Sequence, residues 1–449
     1  MGDTLVQPSD VTDRRERRLL IPPASLVEDV LGTDLAEYRR GGGRPPVSLR
    51  EAINALMRGE LPTTPETPVA VSPAPQEMSR AFLADGSGGL TAVWSGKQSG
   101  GSDQIFASRM DLANGHGGFA APQQISSGGT HVNPHAVLLP DGPLLVAYQA
   151  GAVGAADVVM KRAPLGGLAS AAEIPVAATP GVDETSPFLT VTGDLTTVFF
   201  YRSTTRRWYY RRWKNTTNAW KDPEGRELSA IINDSFKHEF HAAVDPDGKV
   251  WAAFPSHEGL TILRFDPETG DVTYPGHVGV HTGYRTPFVL CTRTGVVWVF
   301  WSTEVTGSAL WACVLQSGSC EILDILDIVD DHELPYEPTE YGHSPNRFNP
   351  HAVEDEDGAI WLFWAVGDED GTGSFTSDLA VMRSNPVNGK WGATRQLDTS
   401  PVHSTPYLAN PYPNVAFTVV ASGKANWIFW AADHNGVTNI YHKRLLFAV

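Results

Sequence analysis

The chain has 449 residues, 34 basic and 51 acidic side chains for a net charge of −17, 43 Gly and 33 Pro, with 41% hydrophobic and 19% charged residues. That composition describes a turn-rich folded protein of one or two domains and excludes disordered and fibrous classes, while the negative charge disfavours nucleic acid and anionic membrane as partners. No apolar run reaches the roughly 18 residues of a membrane span, so no membrane insertion is expected, and the first twenty residues carry charges where a signal peptide needs its apolar stretch.

Taken in chain order, residues 1–61 differ in kind from the rest. They hold nine Arg, no Lys and ten carboxylates, so nearly all of the net charge falls on the remainder. Ser48-Leu49-Arg50-Glu51 reads as a capping box opening a short amphipathic helix near 49–58, with Ala52, Ile53, Leu56 and Met57 on one face beside Leu49 and Gly59 closing it. A helix this short is marginal alone, so its apolar face must dock on something. The docking residues are taken as Leu49, Ile53, Leu56 and Met57, and their surface as the flank of the rest of the chain or a larger assembly. Residues 62–75 are rich in Pro and Thr and read as a hinge ending in a closing strand near 68–71.

From about residue 80 a unit recurs: a short apolar strand, a Gly-bearing turn, then an aromatic-rich strand. Asn133-Pro134-His135-Ala136-Val137 leads through Asp141-Gly142 to Tyr148, and Asn349-Pro350-His351-Ala352-Val353 leads through Asp357-Gly358 to Trp364. The same 14-residue interval joins Arg80 to Trp94, Pro187 to Tyr201, Phe240 to Phe254 and Pro287 to Trp301, and a looser copy ends at Trp430. Seven units of about 56 residues predict an all-β, seven-bladed propeller over residues 76–449, with a short, partly helical N-terminal extension. The last unit lacks its outer strand, which residues 68–71 are expected to supply, as Gln123–Ser126 do before the second unit.

The aromatic row Trp94, Tyr148, Tyr201, Phe254, Trp301, Trp364 and Trp430 is read as core. His135, His241 and His351 share one repeat position with Phe188 and Phe288, which indicates an inter-blade packing slot that accepts any flat ring; metals also favour three imidazoles around one channel end, but no metal or other cofactor is expected. Arg206-Arg207-Trp208-Tyr209-Tyr210-Arg211-Arg212-Trp213 mixes cations with rings, so Trp208, Tyr210 and Arg212 are candidates for ligand contact, the alternative being arginines lying over neighbouring rings. The three cysteines, Cys291, Cys313 and Cys320, are too few to staple the chain and suit a reducing compartment.

Units such as NPHAVEDEDGAIWLFW and EFHAAVDPDGKVWAAF resemble the sialidase-like propellers with BNR-type repeats, over about residues 68–449. The resemblance implies a propeller and, in catalytic members, an arginine triad with a Tyr nucleophile, a Glu that assists it and an Asp acid/base. The family's Arg-Ile-Pro motif is missing and its Ser-x-Asp-x-Gly-x-x-Trp turn is altered, so no catalytic residues are assigned. Arg80, Arg285 and Arg347 nevertheless lie at or just before inner strands, with Tyr284, Tyr341 and Glu340 nearby, and form a candidate anion-binding set. The string SLREAINALMRGELPTTPE resembles attachment segments of proteins associated with bacterial phage-tail-like contractile injection systems. The resulting expectation is a non-catalytic recognition or scaffold propeller, made in the cytoplasm without a signal peptide, attached through residues 1–61 to a larger particle released by lysis, and binding a cell-surface glycan or protein. The alternatives are a sialidase-like glycoside hydrolase with a divergent site, or a free lectin.

Overall fold

The computed structural model describes residues 67–69, 77–84, 89–97, 101–111, 119–152, 154–228, 239–257, 259–278, 284–303, 310–318, 320–329, 346–369, 375–385, 390–392, 394–405, 414–415, 417–422, 425–434 and 437–445. The helix expected near 49–58, with Leu49, Ile53, Leu56 and Met57, lies outside the described residues. Among them the strands form seven antiparallel sheets, the blades of a β-propeller. Blade one is Glu77–Ala84, Gly89–Lys97, Asp103–Asp111 and Gln123–Gln124; blade two is His131–Leu138, Leu144–Ala150, Asp157–Ala163 and Ile174–Ala177. Blades three to six start with the inner strands Glu184–Thr192, His241–Val244, Tyr284–Cys291 and Asn346–Glu354. Blade seven runs Phe417–Ser422, Ala425–His434 and Val437–Arg444, and takes its outermost strand from Thr67–Pro68, where Thr67 pairs with His442 and Pro68 with Tyr441. A proline, which has no N–H to give a ladder, is tolerated there because the strand is an edge.

Each blade is apolar on both faces, and the period of two along a strand sends alternate residues to opposite neighbours. In Ile360–Glu369 of blade six, Trp361, Phe363 and Ala365 pack towards blade seven, whereas Leu362, Trp364 and Val366 pack towards blade five. The same division yields seven hydrophobic clusters, one in each seam between adjacent blades. The seam between blades seven and one includes Val69, just past the closing strand, with Trp94 and Phe429. First strands of consecutive blades touch all the way round, including blade seven against blade one, so the ring is closed. Up-and-down order puts the chain entering each inner strand, and the link between second and third strands, on what we call the upper face; the other two links lie on the lower face.

Of the aromatic row, all seven side chains are buried, but one is out of step. In blades two, four, five and six the slot residue pairs with a partner twelve residues on, as in His135 with Ala147 and His351 with Phe363. In blade three Phe188 pairs with Phe199, eleven residues on, because Thr192 and Leu195 are joined by the two-residue turn Gly193-Asp194. A one-residue difference exchanges the two faces of a strand. Phe200 therefore packs towards blade two, the place held by Tyr148 and Trp364 in their blades, and Tyr201 packs towards blade four.

The lower-face turns of blades four and six contain a second, buried acid. Asp245 accepts hydrogen bonds from the Trp251 indole (3.0 Å), the Lys249 amide (2.8 Å) and Ser317 of blade five (2.5 Å), and pairs with Arg264. Asp355 repeats the arrangement with Trp361 (2.9 Å), the Ala359 amide (2.9 Å) and Arg383 (2.8 Å). Asp247 and Asp357, the acids of the Asp-Gly pairs, stay exposed. Burial by itself raises the Asp245 carboxyl, but the bonds from Ser317, the Lys249 amide and Trp251, with Arg264 beside it, hold it below the usual carboxylate value; Asp355 is depressed in the same way. Stability drawn from these groups is present above about pH 4 and lost as pH falls below it. Asp245→Ala is expected to cost about 3 kcal/mol, since it strands several buried donors, and Asp247→Ala less than about 0.5 kcal/mol, both read from urea denaturation midpoints at neutral pH.

Candidate functional site

The residues that converge on the axis come from the inner strands. In blades two, three, five and six each of these strands carries a β-bulge immediately around an x-Pro step, between Val132 and His135, Thr185 and Phe188, Arg285 and Phe288, and Phe348 and His351. The residue before the proline has positive φ in all four: Asn133 (52°), Ser186 (54°), Thr286 (45°) and Asn349 (48°). Asn tolerates this region; for Ser and the β-branched Thr it costs about 1–2 kcal/mol. Bulges and left-handed residues of this kind re-aim backbone amides.

In blades five and six those amides turn onto side chains of the preceding blade. Thr286 N donates to Glu239 Oε2 at 2.5 Å, Asn349 N donates to Thr286 Oγ1 at 3.2 Å, and the Thr286 hydroxyl also meets Ser302 Oγ at 3.0 Å. Asn133 Nδ2 donates to Gln149 Oε1 at 3.2 Å. Asn133, Ser186, Glu239, Thr286 and Asn349 all stand two residues before the slot position, so they form a polar layer on the upper side of the channel.

One layer down, the slot residues, with Phe417 of blade seven, which pairs with Trp430, make a band of rings. Centroid distances run 4.1 Å from His135 to Phe188, 5.2 Å from Phe188 to His241, 4.1 Å from His241 to Phe288, 4.8 Å from Phe288 to His351 and 4.8 Å from His351 to Phe417. In blade one the register puts Ala81 in this slot. His135 Nδ1 accepts the Leu189 amide (3.2 Å) and His241 Nδ1 accepts the Val289 amide (3.0 Å), each from the next blade. An imidazole that accepts at Nδ1 carries its hydrogen on Nε2, which closes both nitrogens to a metal ion in this arrangement.

Of the residues singled out from sequence, Arg80, Arg285 and Arg347 lie in the inner strands of blades one, five and six, the last two in the upper part, with Tyr284 next to Arg285. Their side chains, and Tyr341 and Glu340 altogether, lie outside the described residues. Trp208, Tyr210 and Arg212 of the mixed stripe in blade three are buried in the seam with blade four. Trp208 is 0% exposed and packs on Phe240 at 4.4 Å. Tyr210 packs on Phe265 at 4.6 Å and donates its hydroxyl to Gly270 O at 3.3 Å. Arg212 is 3% exposed, holds Asp222 through Nε (2.8 Å) and a terminal nitrogen (2.7 Å), and donates to the carbonyls of Pro267 and Glu268 in blade four. The physical reason is that both faces of a blade are covered, so alternation buries half of such a strand against each neighbour; Asp222, ten residues beyond Arg212, supplies the countercharge that makes burial affordable. Sequence reasoning missed the polar layer, whose signal is the x-Pro step at one repeat position, and the two buried aspartates, whose signal is Asp-x-x-Gly-x-x-Trp in blades four and six.

No family model matches the chain, and no curated protein matches its sequence. Among solved structures it is similar to a protein of unknown function from Dyadobacter fermentans, at 12% identity and a TM-score of 0.51, covering 86% of this chain and 98% of that one. Looser similarities are to the polysaccharide lyase Uly1, at 10% identity and a TM-score of 0.48, covering 84% and 91%, and to the phage phi92 endosialidase, at 10% and 0.47, covering 86% and 69%. The Dyadobacter likeness is one of fold alone, and the other two carry nothing to the chemistry of this chain.

Replacing Glu239 by Ala leaves the buried Thr286 amide without its acceptor and is expected to destabilise by about 1–3 kcal/mol. Glu239→Gln keeps an acceptor oxygen and should recover most of that loss, as measured by denaturation midpoints.

Proposed function

We propose that this chain is a non-catalytic recognition propeller, carried on a larger bacterial or phage-tail-like assembly by residues 1–61 and presenting its disc to a cell-surface glycan or protein. The observation that carries this reading is the position of Thr67–Pro68 on the outer edge of blade seven. That edge is on the rim of the disc, and attachment at the rim leaves both axial faces open. The Pro- and Thr-rich stretch before it suits a hinge between attachment and disc. Groups at the upper side of the channel, Glu239 and Thr286 among them, couple blades to one another, which fits a rigid platform whose specificity resides in its loops. Sedimentation of host lysate tests it: the full chain should travel with a large particle, and a chain lacking residues 1–61 should run as a folded monomer. Monomeric behaviour of both would overturn the attachment.

A second reading, a sialidase-like hydrolase, is favoured by one observation, the placement of Arg80, Arg285 and Arg347 on inner strands of a single ring. It requires turnover of a fluorogenic sialoside that is lost in Arg285→Ala; the leading reading expects no turnover by either protein.

A further inference from the structure

We propose that the inner ring of the propeller is a proton-operated latch: acidification makes His135 and His241 release the amides of the next blades, and the seams between inner strands loosen. Inner strands of neighbouring blades belong to different sheets, so no ladder joins them. The bonds from Leu189 N and Val289 N to Nδ1 of His135 and His241 cross two of these seams, between blades two and three and between blades four and five. Only an unprotonated Nδ1 accepts; a proton there sets one N–H against another, turning an attraction into a repulsion. His135 packs on Phe188 with the rings tilted, and His241 lies between Phe188 and Phe288; both imidazoles are partly buried.

Same-face neighbours on the packed strands are uncharged: Ser186 and Thr190 in blade three, Thr286 and Leu290 in blade five. The carboxylate nearest His241 along its own chain, Glu239, is engaged by the Thr286 amide. Other ionisable groups on the packed strands are Glu77 and Arg80 in blade one, the latter next to the slot residue Ala81, Glu184 bonded to Arg202 in blade three, and Arg285 and Cys291 in blade five. His131, at the start of the inner strand of blade two, is a further buried imidazole. Its burial lowers it below the ordinary imidazole value, outweighing Glu173 at 3.9 Å. A group depressed in this way favours the folded state above about pH 6.5 and withdraws that stability as pH falls below it. The buried aspartates of the lower face titrate lower still, so a loss between about pH 7 and 5 belongs to the histidines.

The test is thermal unfolding of the full chain from pH 8 to pH 5, beside His135→Phe/His241→Phe. Phe is the residue that blades three and five place in the same slot, so the rings fit. The wild type should lose about 3 °C or more of Tm between pH 7 and 5. The double variant should start lower, having lost two acceptors, and change less over that interval. Parallel falls in the two proteins would overturn the latch. Should the variant fail to fold, amide hydrogen exchange in the wild type decides: after correction for intrinsic pH dependence, Leu189 and Val289 should exchange about tenfold faster at pH 5.5 than at pH 7.5, and unchanged protection would overturn the proposal.

Discussion

Every blade of this protein is a sheet that must be covered on both sides. A strand with two apolar faces has no solvent side, so each residue in it faces one neighbouring blade or the other, and stability is distributed over seven seams rather than gathered in one core. Closing the ring removes the uncovered faces that an open stack would leave at its ends. That is why a two-residue pairing at Thr67–Pro68 matters out of proportion to its length: it completes blade seven beside the seam in which Val69, Trp94 and Phe429 pack.

Apolar packing alone does not set the distance or rotation between blades, and polar groups do that at three levels. On the upper side, bulged strands turn the amides of Thr286 and Asn349 onto the blade before. At mid-depth the imidazoles of His135 and His241 accept amides from the blade after. On the lower side Asp245 reaches Ser317 across the seam while tying down the indole and guanidinium of its own blade. Towards the rim, Arg212 carries a buried ion pair against the carbonyls of blade four. The backbone cost of Ser186 and Thr286 at positive φ is tolerated because the bulges send amides where a regular ladder would not.

Repeat spacing made the architecture legible. Alternation of apolar residues with Gly-bearing turns at a constant interval identifies strands, hairpins and blade number, because each of these depends on local backbone chemistry and on period. The interval also misled at one place: Pro187 to Tyr201 matches its counterparts in length, yet the shorter hairpin at Gly193-Asp194 moves Phe200 into the shared position. The run from Arg206 to Trp213 allowed either ligand contact or arginines lying over neighbouring rings, and composition could not show that Asp222 supplies the partner that lets Arg212 go inside.

The sequence by itself determined that this chain builds seven blades and that the same residue types return to the same depth in each, since period and turn chemistry are properties of neighbours along the chain. Only the tertiary structure decided which of those residues bond across a seam. His135 with Leu189, Glu239 with Thr286 and Asp245 with Ser317 are 54, 47 and 72 residues apart. Their meeting depends on how adjacent sheets rotate and how far a bulge displaces an amide, and no local rule of sequence contains that geometry.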